Sequence, residues 1–280
     1  MKKTQEFRPF MIFVYIVCAF LTVLSLLPFI IMVVNSTRST NEIQQHALSL
    51  IPSTYLLNNL KILTGKSFDP IRGFINSMIV STGSTLCSVY FSSLTAYALV
   101  VYKWKLRDSF FTFIMAVMMI PGQVVIIGFY QFMWQIHLTN SFLPLIIPAI
   151  AAPSMVFFMR QFMLSSLPLD IVNSARIDGS REFQTFNSIV LPIMKPAMAT
   201  QGIFAFVNSW NKLFEPSILL TQQDKYTMPI MVSLLKGDIY KTEYGSIYLG
   251  LTLTVLPLFI VYFALSKYII AGVALGGVKG

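Results

Sequence analysis

Six stretches of this chain are apolar over a length that can cross a lipid bilayer. They cover about residues 11–34, 74–102, 110–134, 142–164, 197–220 and 247–270, and a spanning helix needs about 20 apolar residues. Only 11% of the 280 residues are charged, against about 25% in soluble domains. Because backbone groups in lipid must be hydrogen-bonded within the protein, the sequence predicts an all-α fold. The fold is a polytopic bundle of six transmembrane helices, forming one domain over 1–280.

Prolines interrupt three of these stretches. They are Pro121, Pro144, Pro148, Pro153 and Pro257. A proline frees a backbone carbonyl, which neighbouring helices must satisfy in lipid, so the pattern predicts a bundle with kinked members. The fifth stretch is the least regular, since Lys212 and Glu215 fall in its second half. Their spacing of three residues predicts that the two side chains pair on one helix face.

The basic residues indicate which connections face the cytoplasm, because Lys and Arg are retained on that side. With the amino terminus inside, more than half of the 20 basic residues fall on the inner side. They are Lys2, Lys3 and Arg8; Lys103, Lys105 and Arg107; Arg160, Arg176, Arg181 and Lys195; and Lys267 and Lys279. The pattern predicts a multi-pass plasma-membrane protein with both termini cytoplasmic. We expect its first helix to be an uncleaved anchor, because the apolar region is too long for a signal peptide.

The connection between the fourth and fifth stretches, residues 168–196, is polar and long. A connection alone needs about 2 to 8 residues. "DIVNSARID" is typical of a short helix that ends at Gly179, a residue that adopts positive φ freely. Ser180 is then placed to cap a second helix, "REFQTFNSI", which ends ahead of Leu191-Pro192. We expect two short helices that project from the inner surface, where another protein can grip them.

This segment resembles the cytoplasmic loop of importer-type ABC permeases. The family pattern is Glu-Ala-Ala, three residues, Gly, nine residues and Ile-x-Leu-Pro. Here it reads Asn173-Ser174-Ala175, three residues, Gly179, nine residues and Ile189-Val190-Leu191-Pro192. The spacing is kept, while Asn173 and Ser174 replace the glutamate and the first alanine.

The resemblance implies that this loop docks into a cleft on an ATPase subunit. The implied coupling residues are Asn173, Ser174, Ala175, Arg176, Asp178, Gly179, Leu191 and Pro192. Ala175 and Gly179 would give close approach, and Arg176 and Asp178 polar contacts. Asn173 can keep a hydrogen bond but lacks the charge of the family glutamate.

Further segments are similar to permeases that import sugars and oligosaccharides, in particular the shorter partner of a permease pair. These are "FINSMIVSTGS", "MIPGQVVIIGFYQFMWQ", "FVNSWNKLFEPSILL" and "GVALGGVKG". The resemblance implies a type I ABC importer permease fold, a bacterial or archaeal plasma membrane and four kinds of partner. They are a second homologous permease, two ATPase subunits that bind ATP and Mg, a soluble sugar-binding protein outside the cell, and the lipid bilayer. The tail 271–280 would reach the ATPase dimer through Gly276, Gly277, Lys279 and Gly280. This chain would bind no cofactor itself.

Three further groups of residues leave alternatives open. Ser77, Ser81, Ser84, Ser88, Ser92 and Thr95 share one face of the second helix, and they form either a close helix–helix seam or a wet wall of the pathway. Asn76, Asn208, Trp210 and Asn211 either line the pathway or pack between helices. In the outer loop 221–246, Tyr226, Tyr240 and Tyr244 either meet the sugar-binding protein or anchor at the membrane interface.

Catalytic and nucleotide-binding sites are not predicted. "TGKS" at 64–67 lacks the first glycine of a phosphate loop, where Leu60 stands. His46 and His137 have no carboxylate or cysteine at metal-ligand spacing, so we expect no metal site. The sequence therefore predicts a transport subunit that is not an enzyme. An ABC importer for another solute, such as peptide or phosphate, and a transporter that works without an ATPase remain as alternatives.

Overall fold

The computed structural model describes residues 8–65, 68–235 and 242–277, with the side chains of 10–65, 68–235 and 242–263. The described residues are helical, without a strand. They divide into two compact units. Unit 1 holds the residues up to Pro70 together with those of Val232–Val255, and unit 2 holds those of Ile71–Met231 and the residues from Leu256 onward.

Unit 1 is built around one long apolar helix and two short ones. They are α1 (Arg8–Ser36), α2 (Thr40–Gln45) and α3 (Leu56–Gly65). The most apolar stretch of α1 has no residue buried within the protein. An apolar helix surface of this length is what a bilayer covers.

The connection between α1 and α3 is folded by hydrogen bonds of its own. Buried Arg38 donates from Nη1 to the carbonyl of His46 (2.6 Å) and from Nη2 to that of Glu42 (2.9 Å). Asn59, on α3, donates to the carbonyls of Ser36 and Arg38, each at 2.8 Å. The Ser39 backbone amide and the hydroxyls of Ser39 and Ser53 donate to the Glu42 carboxylate and hold its pKa below the ordinary value. The segment is therefore an ordered module.

Unit 2 begins with the helices of the second, third and fourth apolar stretches. They are α4 (Pro70–Val101), α5 (Arg107–Val117), α6 (Gly122–Gln135), α7 (Leu143–Ile146), which continues as a 3-10 turn over Ile147–Ile150, and α8 (Pro153–Ser166). Pro144, Pro148 and Pro153 each lie in the first turn of a helical piece, where a missing N–H leaves no hydrogen bond unmade. These prolines thus divide the fourth stretch, as predicted.

The remaining elements begin at the polar connection. They are α9 (Leu169–Ile177), α10 (Glu182–Thr185), a π turn (Phe186–Val190), α11 (Leu191–Asn211), α12 (Phe214–Leu219), a 3-10 turn (Gln223–Lys225), α13 (Met228–Leu234) and α14 (Tyr244–Gly277). Helix α14 belongs in part to each unit, and it extends beyond the predicted span end at 270.

Five helices in the described residues are long and apolar enough to cross a membrane, or six if the bent pair α5–α6 is one span. The stretch predicted over 110–134 contains two helices, because α5 and α6 meet at 94°, and the predicted interruption at Pro121 is confirmed. Pro121 stands at the break with an extended ψ of 125°, and a proline also disfavours helix at the residue before it. The predicted helix over 197–220 is also interrupted: Lys212 is extended, with ψ 125°, and α12 restarts beyond it.

A core of unit 2 joins α4, α8, α9, the π turn and α11. It centres on Phe186, which is fully buried and lies 5.4 Å from the Tyr97 ring and 5.8 Å from that of Tyr90. The methionines of α8 and α11 fill the space around these rings, as their flexible side chains allow. The core fixes the polar connection to the ends of three long helices.

Candidate functional site

The polar connection folds into two short helices at a sharp corner. We call Leu169–Thr185, which contains α9 and α10, the elbow. Gly179 has φ +80°, and the amides of Gly179 and Ser180 donate to the carbonyls of Arg176 (3.1 Å) and Ala175 (2.9 Å). These two bonds are the Schellman pattern that ends a helix at a left-handed glycine. The predicted helix end at Gly179 is confirmed.

Two expectations about the second short helix are wrong. Ser180 does not cap it, since its hydroxyl accepts a hydrogen bond from the Thr185 hydroxyl (2.9 Å) and the N-cap position falls on Arg181. The helix also does not end ahead of Leu191-Pro192, because the π turn carries it into α11. In that turn the Leu191 amide donates to the carbonyl of Phe186, five residues earlier. The wider turn accommodates Pro192, which has no N–H to donate and would crowd the preceding turn of an α-helix.

The elbow exposes one face and buries the other. Asn173, Ser174, Asp178 and Gly179 are exposed, and a Cβ added at Gly179 would meet nothing within 4 Å. Val172 and Ala175 face the core of unit 2, and Ala175 is only 7% exposed. The close approach expected of Ala175 toward another protein is therefore corrected: its methyl group packs inside this chain. Leu191 is half-buried and Pro192 exposed at the start of α11.

Two apolar side chains at the elbow were missed by the sequence reasoning. Ile177 is 86% exposed at the end of α9, and Phe183 is 64% exposed on α10. The signal for Ile177 lies in helix geometry, because residues 172 and 175 share the buried face and position 177 falls on the opposite side. Exposed apolar groups beside polar ones are typical of protein–protein contacts.

Arg176 turns toward this chain rather than away from it. Its Nε lies 2.7 Å from Glu182 Oε1 and its Nη2 lies 3.2 Å from Oε2. The carboxylate raises the pKa of the Arg176 guanidinium above its ordinary value. The polar contact expected from Arg176 to another protein is therefore made, in this structure, to Glu182.

A cavity of about 750 Å³ opens in unit 2 between α4, α6, the α7–α8 region, α11 and α12. Small-molecule sites have volumes of about 300–1,000 Å³. Its polar lining residues are Ser84, Ser88, Ser154, Gln201, Asn208 and Ser209. Hydroxyl and amide groups offer both donors and acceptors, which suits a solute rich in hydroxyl groups.

One ion pair is part of the cavity lining. Lys212 Nζ lies 2.7 Å from Glu215 Oε2, which confirms the predicted pairing. The two residues do not share one helix face, however, because they bridge the break between α11 and α12. They are the ionisable residues among the described side chains that line this cavity, so its wall carries no net charge.

The four predicted pathway residues have different positions. Asn208 lines the cavity. Trp210 is 1% exposed; its ring stacks on that of Phe206 at 5.7 Å and meets that of Phe74 edge-on at 5.8 Å between centroids. Asn211 is exposed outside the lining. Asn76 also lies outside it, and donates from Nδ2 to the carbonyls of Asp224 (2.9 Å) and Tyr226 (3.0 Å).

The hydroxyl face of α4 contains both alternatives left open by the sequence. Ser84 and Ser88 line the cavity, and the Ser84 hydroxyl also donates to that of Ser209 on α11 (3.2 Å). Ser77 accepts from the Met228 amide at 2.9 Å, and Ser92 is fully buried. In the middle of this face, Ser84 and Ser88 therefore line the cavity. Ser77 and Ser92, toward its two ends, are packed inside the protein.

The remaining predicted contacts lie in three places. Tyr226 is half-buried and donates to the carbonyl of Thr221 (3.2 Å), within a segment of unit 2. Tyr244 is exposed at the start of α14 in unit 1. Gly276 and Gly277 form the end of α14, whereas Tyr240, Lys279 and Gly280 lie outside the described residues. Their roles stay predictions.

These features define a class: a polytopic membrane subunit with a cavity whose mainly apolar wall carries several hydroxyl and amide side chains, and with a helical elbow that is exposed on one face. Comparison with known proteins is more specific. Residues 88–274 match the family described as binding-protein-dependent transport system inner membrane component. The chain belongs to this family. It is a transport subunit of the inner membrane rather than an enzyme, and the resemblance identified from the elbow motif is confirmed.

Relatives agree over nearly the whole chain. An arabinooligosaccharide transport system permease protein, AraQ, of Halalkalibacterium halodurans is 34% identical over 264 residues, 94% of each chain. A lactose transport system permease protein, LacG, of Rhizobium radiobacter is 30% identical over 265 residues, 95% of each chain. A chain of a bacterial ABC transporter for the import of the acidic polysaccharide alginate has the same fold, with a TM-score of 0.80 at 20% identity, over 96% of this chain and 99% of the other.

Proposed function

We propose that this chain is one permease of an ATP-driven importer for sugars or oligosaccharides. It would form half of the pathway with a second homologous permease, and take energy from two ATPase subunits that bind ATP and Mg. The family description, the sugar-related names of the relatives and the hydroxyl and amide groups in the cavity wall support this proposal. A soluble sugar-binding protein would deliver the solute, and the outer loop with Tyr226, Tyr240 and Tyr244 is its candidate contact.

One observation carries the proposal: α11 connects the elbow to the cavity. The helix begins at Leu191, joined to the elbow by the π turn, and lines the cavity with Gln201, Asn208 and Ser209. An ATPase that grips the exposed face of the elbow would therefore pull on a helix that forms the cavity wall. The distribution of Lys and Arg supports an elbow and both termini on the cytoplasmic side.

Co-purification tests the proposal. A tagged chain, expressed with its own transport system and extracted in mild detergent, should retain ATPase subunits and a second permease. ATP hydrolysis by that complex should rise when the solute-loaded binding protein is added. A tagged chain that moves solute in vesicles by itself, without ATPase subunits, would instead establish a transporter that needs no ATPase.

The cavity wall has no net charge, because Lys212 is paired with Glu215. This favours a neutral solute. Glu215→Gln leaves the lysine unpaired and gives the wall a positive charge. We expect an acidic oligosaccharide to compete with uptake about two- to fivefold better in this variant, the size of a partly exposed charge effect. In Lys212→Gln the acidic oligosaccharide should compete less well than in the wild type. In the double variant, which again has no net charge at this position, competition should return to the wild-type level. Equal competition in Glu215→Gln and Lys212→Gln would contradict a role for the pair.

The two asparagines of α11 give a second test of the cavity. Asn208→Leu removes an amide from the lining, and we expect uptake to fall about tenfold, as expected where a polar group of a solute loses its partner. Asn211→Leu makes the same chemical change three residues away, outside the lining, and should reduce uptake less. Radiolabelled solute uptake at equal membrane abundance measures both. A larger loss in Asn211→Leu would show that the solute contacts the end of α11 rather than the lining at Asn208.

A further inference from the structure

The elbow is attached to a third helix by side chains far away in sequence. The hydroxyls of Tyr102 and Tyr97 both donate to Glu182 Oε2, at 2.6 and 3.0 Å. Tyr97 lies in the last turns of α4, and Tyr102 directly follows that helix. Glu182 is the first residue of α10. One carboxylate therefore joins the elbow to the end of α4.

The same carboxylate also closes the elbow on itself. Arg176 of α9 contacts both oxygens of Glu182, and its guanidinium carbon lies 5.4 Å from the centroid of the Tyr102 ring. Four donors thus converge on Glu182: the two tyrosine hydroxyls and two guanidinium nitrogens. Hydrogen bonds to an ionised group are about twice as strong as neutral ones, so α9, α10 and α4 are held together at this point.

Contacts beneath Glu182 continue the attachment. The hydroxyl of Tyr90, two turns earlier on α4, donates to Asn187 Oδ1 in the π turn at 3.2 Å. The rings of Tyr90 and Tyr97 flank Phe186. Closely packed interiors transmit displacement because they have little free space to absorb it.

Helix α4 also forms part of the cavity wall. Ser88 lines the cavity nine residues before Tyr97, which is about 14 Å along an α-helix. A rigid link between the elbow and Tyr97 would therefore carry a displacement of the elbow directly to Ser84 and Ser88. The polypeptide chain itself connects the elbow only to α8 and α11.

We infer that Glu182 is a positioning residue that fastens the elbow to α4, so that movement of the elbow reaches both walls of the cavity. Glu182 touches no solute in this role. It makes α4 move together with α11 when the ATPase subunits close. The inference rests on the proposed coupling between the elbow and the ATPase.

The test compares solute imported per ATP hydrolysed, in proteoliposomes that contain the whole transporter. In Glu182→Ala we expect this ratio to fall about fivefold or more, the lower range of measured coupling effects, while hydrolysis persists. The double variant Tyr97→Phe/Tyr102→Phe should lower the ratio in the same direction and add little to Glu182→Ala, because the hydroxyls act through that carboxylate. Asp108→Asn is the matched control, since Asp108 is an exposed acid paired with neighbouring Arg107 at 3.0 Å. It should leave the ratio unchanged.

The outcomes separate the inference from the proposed function. Wild-type chain that retains no ATPase subunits would overturn both. Wild-type chain that retains them, together with a normal ratio in Glu182→Ala, would overturn the inference alone. If Glu182→Ala fails to assemble, the Tyr97→Phe/Tyr102→Phe variant decides, because both tyrosines keep their rings. A normal ratio there overturns the attachment, and a lowered ratio supports it.

Discussion

Gly179→Asp is expected to abolish solute uptake while the protein still reaches the membrane. Gly179 has φ +80° at an exposed corner with open space around it. A left-handed backbone costs most residues about 1–2 kcal/mol, and Asp is one of those that tolerate it, so the fold should persist. If the corner docks into an ATPase cleft, an unpaired buried carboxylate there costs about 2–5 kcal/mol. Binding would then weaken by a factor of about 30 or more.

Two further variants isolate the reason. Gly65→Asp makes the same change at the end of α3, where nothing lies within 4 Å and φ is not positive; uptake should be normal. Gly179→Asn has the size of the aspartate and its tolerance of positive φ, without the charge. Its loss of uptake therefore measures the effect of bulk alone. Uptake and ATPase co-purification at equal membrane abundance are the measurements. Normal uptake by Gly179→Asp would rule out the corner as a docking point.

Gly245→Ala is expected to destabilise unit 1 by about 3 kcal/mol or more. An added Cβ would meet the Arg38 carbonyl oxygen and lie 2.5 Å from Asn59 Nδ2. Overfilling a close contact costs about 1–3 kcal/mol. Asn59 would also have to move from the two carbonyls that it satisfies, and a buried group left unsatisfied costs about 1–3 kcal/mol more.

Gly250→Ala is the matched control, because it lies on the same helix in the same unit. Its Cβ would meet the ends of side chains, the nearest being Leu235 Cδ1 at 3.1 Å, and these can shift. Alanine also favours a helix over glycine by about 1 kcal/mol. In detergent, the midpoint of thermal unfolding should fall clearly for Gly245→Ala and stay near wild type for Gly250→Ala. Equal midpoints would contradict the close approach of α14 to the segment after α1.

The sequence predicted best where local chemistry determines the structure. A glycine after a short polar helix predicts a left-handed end, and Gly179 has one. Apolar length predicted the long helices, because lipid leaves the backbone no other partner. The Lys212–Glu215 pair followed from spacing alone.

Contacts between distant parts of the chain could not be predicted in this way. Tyr97 and Tyr102 lie 85 and 80 residues from Glu182, and no local pattern connects them to it. The 94° bend at Pro121 depends on neighbours as well as on proline. Asn208 and Asn211 look alike in sequence and share one helix face at a spacing of three residues, so only the packing of other segments around the end of α11 decides which one lines the cavity.

The continuous helical segment from Glu182 to Asn211 has a mechanical consequence. Its 30 residues correspond to a rod about 45 Å long. A tilt of about 10° around its midpoint displaces each end by about 4 Å. The rod stops at the extended residue Lys212, so α12 need not tilt with α11. A small rotation of α11 is therefore enough to change the width of the cavity between α11 and α12.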